Sequence, residues 1–215
     1  MIRKALLLLA ALIAVYAGYL SVRVFQERGR VTRKVDRIIA ASDPDERALS
    51  PARQAMLLKI EDPTFWTNKG IDLSTPGASM TTLSQGLGKL IFFDHFKTGL
   101  RKGELMALTR FALYPEVSKQ RTLQAIIASA YFGTRQGRAV KGFADGARTW
   151  FGKPLSGLSD DEYLQLVAML VAPDNLKPGR DDKGRMDRVA RIKRLLANQC
   201  RPTGLRDTML EGCRA

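Results

Sequence analysis

The sequence predicts an all-α domain preceded by a membrane-spanning helix, and two observations lead to this fold class. Residues 5–22 form a nearly unbroken apolar run, about as long as a helix that crosses a bilayer. Beyond this run, apolar residues recur at helical spacing, as at Leu123, Ile126 and Ile127, and no convincing strand-like alternation occurs. The chain of 215 residues is long enough to bury one core without a metal or several disulfides.

We divide the chain into four segments on this basis. They are an N-terminal transmembrane anchor at 1–24, a juxtamembrane stalk at 25–49, a folded domain at 50–198 and a C-terminal tail at 199–215. The stalk is charged and lacks a strong apolar period, so we expect it to carry the domain away from the bilayer. Val15-Tyr16-Ala17 is similar to the exit of a signal peptide, so cleavage is the alternative to an uncleaved anchor.

The chain is strongly basic, with a formal net charge of +14. Such an excess suits a nucleic acid, an anionic membrane or a phosphorylated substrate. The basic residues are scattered and no nucleic-acid motif with interleaved aromatics occurs, which argues against nucleic acid. More basic residues follow the apolar run than precede it, and by the positive-inside rule this favours a cytoplasmic domain. Charge and hydropathy therefore leave the topology open.

The folded domain begins with a helix that ends at a carboxylate. Ser50 is a suitable N-cap and Pro51 suits the first helical position. The helix predicted from there ends near Glu61. Residues 66–78 are rich in Gly, Pro, Ser and Thr and are predicted as a loop, the kind of segment where ligands often bind.

Further helices are predicted from apolar spacing and capping signals. They lie near residues 81–90, 123–131, 140–151, 159–172 and 186–196. Ser159 and Glu162 form a capping box, and Pro173 ends the helix that this box begins. Gly86 and Gly88 disfavour the first of these helices, which indicates either a close approach of another group to its backbone or simply a weak helix.

The two cysteines, Cys200 and Cys213, both lie in the tail, and the only histidine is His95. This spacing is not that of a metal site, so no protein-held metal is predicted. In an oxidising compartment the cysteines would close a short disulfide loop, and the alternative is two unpaired thiols.

Glu61 is the candidate catalytic residue that the residue pattern indicates. The cations that follow it within 41 residues include Lys89, Lys97, Arg101 and Lys102. A carboxylate can remove a proton from a sugar hydroxyl, and cations can neutralise a departing diphosphate. Glycosyl transfer from a diphosphate-linked sugar needs both groups. Taken alone, however, these residues are more typical of a solvated carboxylate beside a basic surface loop.

Two motifs surround these residues. Residues 61–72 follow the pattern E-D-x-x-F-x-x-H-x-G-x-D, with Asn68 in place of the histidine. Residues 81–90 follow S-T-x-T-Q-Q-L-x-K-N, with Gly86 for the second glutamine and Leu90 for the asparagine.

Two further motifs come next in the chain. The third, R-K-x-x-E, is matched by Arg101 and Lys102, but the glutamate comes one residue early, at Glu104. The fourth, K-x-x-I-L-E-x-Y-L-N, fits residues 119–128 with Gln124 for the glutamate and Ala128 for the asparagine. In this order the motifs resemble those of the peptidoglycan glycosyltransferases, glycosyltransferase family 51.

This resemblance implies a lysozyme-like, mostly helical fold, held by a single-pass helix in a bacterial inner membrane with its domain in the periplasm. It also implies that the domain polymerises lipid II. Glu61 would deprotonate the 4-hydroxyl of the acceptor, which attacks C1 of the growing glycan strand, expels undecaprenyl diphosphate and forms a β-1,4 bond with inversion. Glu104 is the second catalytic residue implied. The implied substrate-binding residues are Asp62, Thr81, Thr82, Gln85, Lys89, Lys97, Arg101 and Lys102.

The partners implied are lipid II, the growing strand, the anionic membrane and other cell-wall synthases, and no nucleic acid. No cofactor is required by the motifs, although some family members use a divalent metal ion near the diphosphate. We expect a monofunctional transferase, without a transpeptidase. The departures at Asn68, Gln124, Ala128 and Glu104 leave one alternative, a non-catalytic homologue that binds lipid II or synthesis partners without polymerising.

Overall fold

The computed structural model describes residues 2–77 and 81–214, so the end of the predicted loop at residue 78 lies outside the described residues. The described chain is mainly helical. Its α-helices are α1 (Ile2–Ala40), α2 (Pro51–Glu61), α3 (Leu83–Phe92), α4 (Leu100–Leu108), α5 (Tyr114–Glu116), α6 (Lys119–Ser129), α7 (Phe143–Phe151), α8 (Asp160–Met169), α9 (Pro173–Leu176) and α10 (Asp182–Leu196). A π-helical turn, Thr109–Leu113, joins α4 to α5, and short 3-10 turns lie at Pro44–Ala48, Leu155–Gly157 and Glu211–Cys213.

The core is built around α8. After its exposed first turn, its side chains are buried on nearly all sides, including Tyr163, Leu166, Val167 and Met169, as expected for a helix surrounded by others. The predicted capping box at its start is present, with the Ser159 hydroxyl and the Glu162 carboxylate each accepting a backbone N–H of the other residue. The predicted all-α fold class is confirmed.

One hairpin departs from the predicted helices. Strands β1 (Tyr131–Arg135) and β2 (Arg138–Lys141) pair antiparallel. They replace the end of the helix predicted at 123–131 and the start of the helix predicted at 140–151. Gln136 and Gly137 both have positive φ, 49° and 78°, which is the geometry of a two-residue hairpin turn. Strands this short give too few residues for a period of two to be recognised in the sequence.

Helix α1 continues through the segment predicted as a stalk. Its first half fits the predicted anchor: in the described chain α1 is long and apolar enough to cross a membrane, with an 18-residue window of mean hydropathy 2.3 and none of that window buried. Its second half packs on the domain, where Val31 and Val35 are 0% exposed. The stalk predicted at residues 25–49 is thus not a separate segment over residues 25–40, which continue α1 and pack on the domain.

The charges of this segment conceal its packed face in the sequence. Glu27 is buried and accepts a hydrogen bond from Lys34 at 2.7 Å, and the Lys34 ammonium also reaches the carbonyl of Ile91 in α3 at 2.8 Å. These charged groups can be buried because each has a partner. The segment therefore has a polar sequence although one of its faces packs on the core.

The tail is folded as well. Cys200 and Cys213 are joined by a disulfide, and the loop that they close lies against α10.

The packing of α1 can be tested with matched valine truncations. We expect Val35→Ala to lower the free energy of unfolding of the full chain by about 2 kcal/mol, because it removes buried methyl groups and leaves a cavity. Val22→Ala, at a position that is 56% exposed, should change it little. Denaturant unfolding in detergent, followed by tryptophan fluorescence, measures both. Equal losses in the two variants would contradict the assignment of α1 to the core.

Candidate active site

A cavity of about 490 Å³ lies where α2 and α3 meet the hairpin, the turn before α9, α10 and the tail. Glu61, at the C-terminal end of α2, lies in its wall together with Lys89 of α3 and Arg188 of α10. The remaining lining is mostly apolar or small. The cavity therefore combines one carboxylate with cations in a partly enclosed space, which is a common form for a ligand site.

Arg188 holds Glu61 in place. Its Nη2 donates to Oε1 of Glu61 at 2.9 Å, and the two side chains are 2% and 17% exposed. The same guanidinium donates to the carbonyl of Ala168 at 3.1 Å and to the carbonyl of Thr208. With acceptors from three elements, its orientation is fixed, and so is that of the carboxylate.

This role of Arg188 was not predicted from the sequence, which placed the residue only within the helix at 186–196. A signal was nevertheless present. Arg188 lies on the same helical stripe as Arg185, Val189 and Ile192, the four buried positions of α10. A cation on the apolar face of an amphipathic helix needs a buried partner, and that requirement could have indicated an ion pair.

The ionisation of Glu61 is set by two opposing effects. Burial raises the pKa of its carboxyl above the ordinary value, while the charge and the hydrogen bond of Arg188 act to lower it. The effect of burial is the larger one, so the pKa of Glu61 is raised. A carboxylate of raised pKa is a stronger base than an exposed one, which suits the removal of a proton from a hydroxyl.

Asp62 does not line the cavity. It is fully buried behind it, accepting from the backbone N–H of Leu83 at 3.0 Å and from the amide of Asn68 at 2.8 Å. Burial raises the pKa of Asp62 to about 6, although the hydrogen bond from Leu83 and the charge of Lys119 oppose the rise. Asp62 thus connects the end of α2 to the start of α3. It is placed to position these helices and does not face the cavity where a substrate would bind.

Asn68 completes this support, at the position where the first motif has histidine. Its side-chain oxygen accepts from the N–H of Gly70 and from the ammonium of Lys119, both at 2.9 Å. Its amide donates to Asp62. With asparagine instead of histidine at this position, the side chain still has hydrogen-bond partners for both its oxygen and its nitrogen.

The start of α3 carries the predicted small and polar residues. Thr82 is the N-cap, accepting from the N–H of Gln85 at 3.2 Å and donating to the carbonyl of Gly70 at 2.8 Å. Gly88 packs closely on the π-helical turn that follows α4, since an added Cβ would lie 2.9 Å from the hydroxyl of Thr109. Gly86 faces open space beside the cavity. The predicted close approach is thus confirmed for Gly88, whereas no described protein atom would contact a Cβ at Gly86.

Two lysines come together beside this helix. Lys102 of α4 donates to the hydroxyl of Thr81 at 2.9 Å and to the side-chain oxygen of Gln85 at 3.1 Å. Burial, followed by the charge of Lys89, lowers the pKa of Lys102 to about 8. Burial also lowers the pKa of Lys89, whose ammonium lies 5.4 Å from the ring centre of Phe96 and forms no ion pair with a described carboxylate. An anion bound between the two ammonium groups would favour their charged forms and so raise both pKa values.

Two predicted substrate-binding cations remain outside this group. Lys97 and Arg101 are exposed and do not line the cavity. Arg101 donates to the carbonyl of His95 and lies 5.9 Å from the ring centre of Phe93.

Glu104, the second predicted catalytic residue, does not reach the cavity. It is 7% exposed and faces α1, where it accepts from the Nε of Arg23 at 2.9 Å and from the hydroxyl of Tyr19 at 3.1 Å. Glu104 follows Lys102 by two residues, a rotation of about 200° around the helix. Because Lys102 points to the cavity side of α4, Glu104 points away from it.

The described residues do not fit a metal held by this chain. Nowhere among them do three or more His, Cys, Asp or Glu side chains come together. The carboxylate that lines the cavity, Glu61, is already bonded to a guanidinium. A hard divalent cation prefers several oxygen ligands, and the described cavity wall offers one carboxylate that is already paired.

Comparison with known proteins gives the family. The model of the transglycosylase family matches residues 28–199. The chain is 32% identical over 164 residues to the biosynthetic peptidoglycan transglycosylase of Rhodospirillum centenum, which covers 70% of this chain and 68% of that protein. It is 30% identical over 158 residues to penicillin-binding protein 1B of Escherichia coli K12, which covers 66% of this chain and 18% of that protein. The chain belongs to the transglycosylase family.

The extent of these matches agrees with the fold. The family match begins inside α1, in the half of that helix that packs on the domain. The aligned part covers only 18% of the length of penicillin-binding protein 1B, both in E. coli and in Vibrio cholerae.

The paired lysines predict a pH-dependent anion site. Lys102 is charged below its pKa and neutral above it, so binding of inorganic pyrophosphate to the full chain should weaken as the pH rises through about 8. Lys102→Arg keeps its charge and should retain affinity at pH values where the wild type has lost it. Titration calorimetry from neutral to alkaline pH measures this, with Lys193→Arg on α10 as the control. Identical pH profiles for wild type and Lys102→Arg would contradict the site.

Proposed function

We propose that the chain is a peptidoglycan glycosyltransferase that polymerises lipid II into β-1,4-linked glycan strands and releases undecaprenyl diphosphate. The observation that carries the proposal is the cavity in which a fixed carboxylate of raised pKa, Glu61, faces the same space as Lys89, with Lys102 close by. Membership of the transglycosylase family supports it.

Glu61 acts as the general base. It takes the proton of the acceptor 4-hydroxyl as the oxygen attacks C1 of the donor strand, and the bond between C1 and the diphosphate oxygen breaks. Attack from the side opposite the leaving group inverts C1. Arg188 keeps the carboxylate in one orientation before the proton arrives, which lowers the cost of reaching the reactive geometry.

Lys89 and Lys102 bind the departing diphosphate. Negative charge accumulates on its oxygens as the bond to C1 breaks, and two ammonium groups in a partly buried site stabilise that charge more than water would. The side-chain nitrogen of Gln85 is buried and has no hydrogen-bond partner among the described residues, so it is a further donor beside Lys102.

A second candidate function has a specific observation in its favour. Glu104 is turned away from the cavity, so the site contains one carboxylate where the motifs led us to expect two. A homologue that binds lipid II or synthesis partners without polymerising would tolerate this loss. We favour catalysis because the base and the diphosphate-binding cations are both retained.

We place the domain in the periplasm, anchored by α1 as a single span of the bacterial inner membrane. The Cys200–Cys213 disulfide supports an oxidising compartment. The basic residues that follow the apolar run are partly neutralised by the domain, since Arg23 pairs with Glu104 and Arg28 with Glu116, both within 3 Å. Because the positive-inside rule counts Lys and Arg rather than net charge, the periplasmic placement rests on the disulfide and on the family. The growing strand, the anionic membrane and other cell-wall synthases are the partners we propose.

Two isosteric substitutions test the roles of the two glutamates. Glu61→Gln removes the base and should lower polymerisation of fluorescent lipid II by about 10²-fold or more. Glu104→Gln removes only the charge that pairs with Arg23, so it should retain most of the rate while lowering stability. Gel analysis of glycan products from the detergent-solubilised full chain measures both. Equal loss of polymerisation in the two variants would contradict the assignment of catalysis to Glu61 alone.

A further inference from the structure

The disulfide between Cys200 and Cys213 closes a segment that contacts the site, which we call the tail loop (residues 200–213). Its internal order depends on Asp207. This buried carboxylate accepts from the backbone N–H groups of Thr203 and Gly212, at 2.9 and 3.0 Å, and from that of Glu211. The loop therefore has one defined backbone conformation.

The tail loop presents two carbonyls to α10. The carbonyl of Thr208 accepts from Arg188, and that of Met209 accepts from Arg191 at 2.9 Å. Arg191 also pairs with Glu211 of the loop at 2.7 Å. The guanidinium that holds Glu61 is thus itself held by the tail loop, and Thr208 lies in the cavity wall.

The tail loop also supports the segment that leads into α3. The N–H of Gly77 donates to the carbonyl of Gly204 at 3.0 Å. Gly77 has a φ of +79°, and an added Cβ would overlap the ring of Pro202. The loop is thereby bonded to two parts of the cavity wall, on α10 and before α3.

We propose that the tail loop is a positioning element of the active site, and that opening the Cys200–Cys213 disulfide releases Arg188 and thereby the carboxylate of Glu61. Opening needs a reductant. A dithiol supplies two electrons and two protons, leaves both cysteines as thiols and is itself oxidised to a cyclic disulfide. Cys200 is partly exposed and Cys213 is buried, so the attacking thiolate approaches from the side of Cys200.

The effect on Glu61 has a defined sign. Arg188 is the charged group bonded to Glu61, and it acts to lower the pKa of that carboxyl against the effect of burial. Lys89 is the other cation in the same cavity. If the loop opens, Arg188 loses the Thr208 acceptor and its fixed geometry, so the pKa of Glu61 should rise by about one unit.

The test does not depend on enzyme activity. The full chain in detergent is labelled with carbon-13 at the glutamate side-chain carboxyl, and the Glu61 resonance is assigned by its loss in Glu61→Gln. Its titration is compared between the oxidised chain, the chain reduced with dithiothreitol, and the double variant Cys200→Ala and Cys213→Ala. We expect a higher Glu61 pKa in the last two. An unchanged pKa in folded, disulfide-free chain overturns the proposal.

A second experiment measures enzyme kinetics, and it rests on the proposed function. With lipid II as substrate, loss of the disulfide should lower kcat about tenfold with little change in KM, and should move the acid limb of the pH–rate profile to higher pH. A uniform loss of rate at every pH would instead indicate a smaller folded fraction and count against the proposal. If no form polymerises lipid II, the proposed function fails while the carboxyl titration still decides the role of the loop.

A substitution inside the tail loop provides a test that does not require the cysteine variants to fold. Asp207→Asn keeps the disulfide but weakens the hydrogen bonds that order the loop, so it should raise the pKa of Glu61 in the same direction. Asp187→Asn is the matched control, because this exposed carboxylate lies on α10 next to Arg188 and has no described hydrogen bond or ion pair. A shift in Asp187→Asn as large as that in Asp207→Asn would overturn the proposal.

Discussion

The ion pair between Glu61 and Arg188 is the interaction on which the site depends. It joins α2 to α10, which are 127 residues apart in the chain, and it is nearly excluded from water. A buried charge without its partner is strongly destabilising, so the two helices and the carbonyl groups around Arg188 are constrained together. The same pair leaves the carboxylate in one orientation towards the cavity. Stability and chemistry are coupled at this point of the fold.

The membrane helix is coupled to the domain through a different set of charges. Glu104 of α4 is buried against α1 and pairs with Arg23 of that helix, and Arg23 also pairs with Glu27, a buried residue of α1 itself. A glutamate expected to act on substrate has therefore become part of the contact between anchor and domain. The pair between Glu104 and Arg23 fixes the rotation of α1 against the domain.

Sequence reasoning succeeded where local chemistry determines structure. The N-cap at Ser50, the helix ending at Glu61 and the capping box at Ser159 follow from residue type and spacing, and each is present. It failed where long-range packing decides. The partner of Glu61 comes from the far end of the domain, and the direction of Glu104 depends on which face of α4 meets α1. Neither could be read from a motif, although the buried stripe of α10 contained a hint.

The most direct test of the account is the fate of lipid II incubated with the wild-type full chain in detergent. The products are digested with a muramidase that cleaves β-1,4 bonds and are analysed by mass spectrometry. A transferase with a single catalytic carboxylate predicts that lipid II is consumed and that its sugars appear in oligosaccharides which the muramidase cuts. Lipid II that is bound by the chain but recovered intact, while an active control enzyme consumes it, would contradict the account and favour a binding protein.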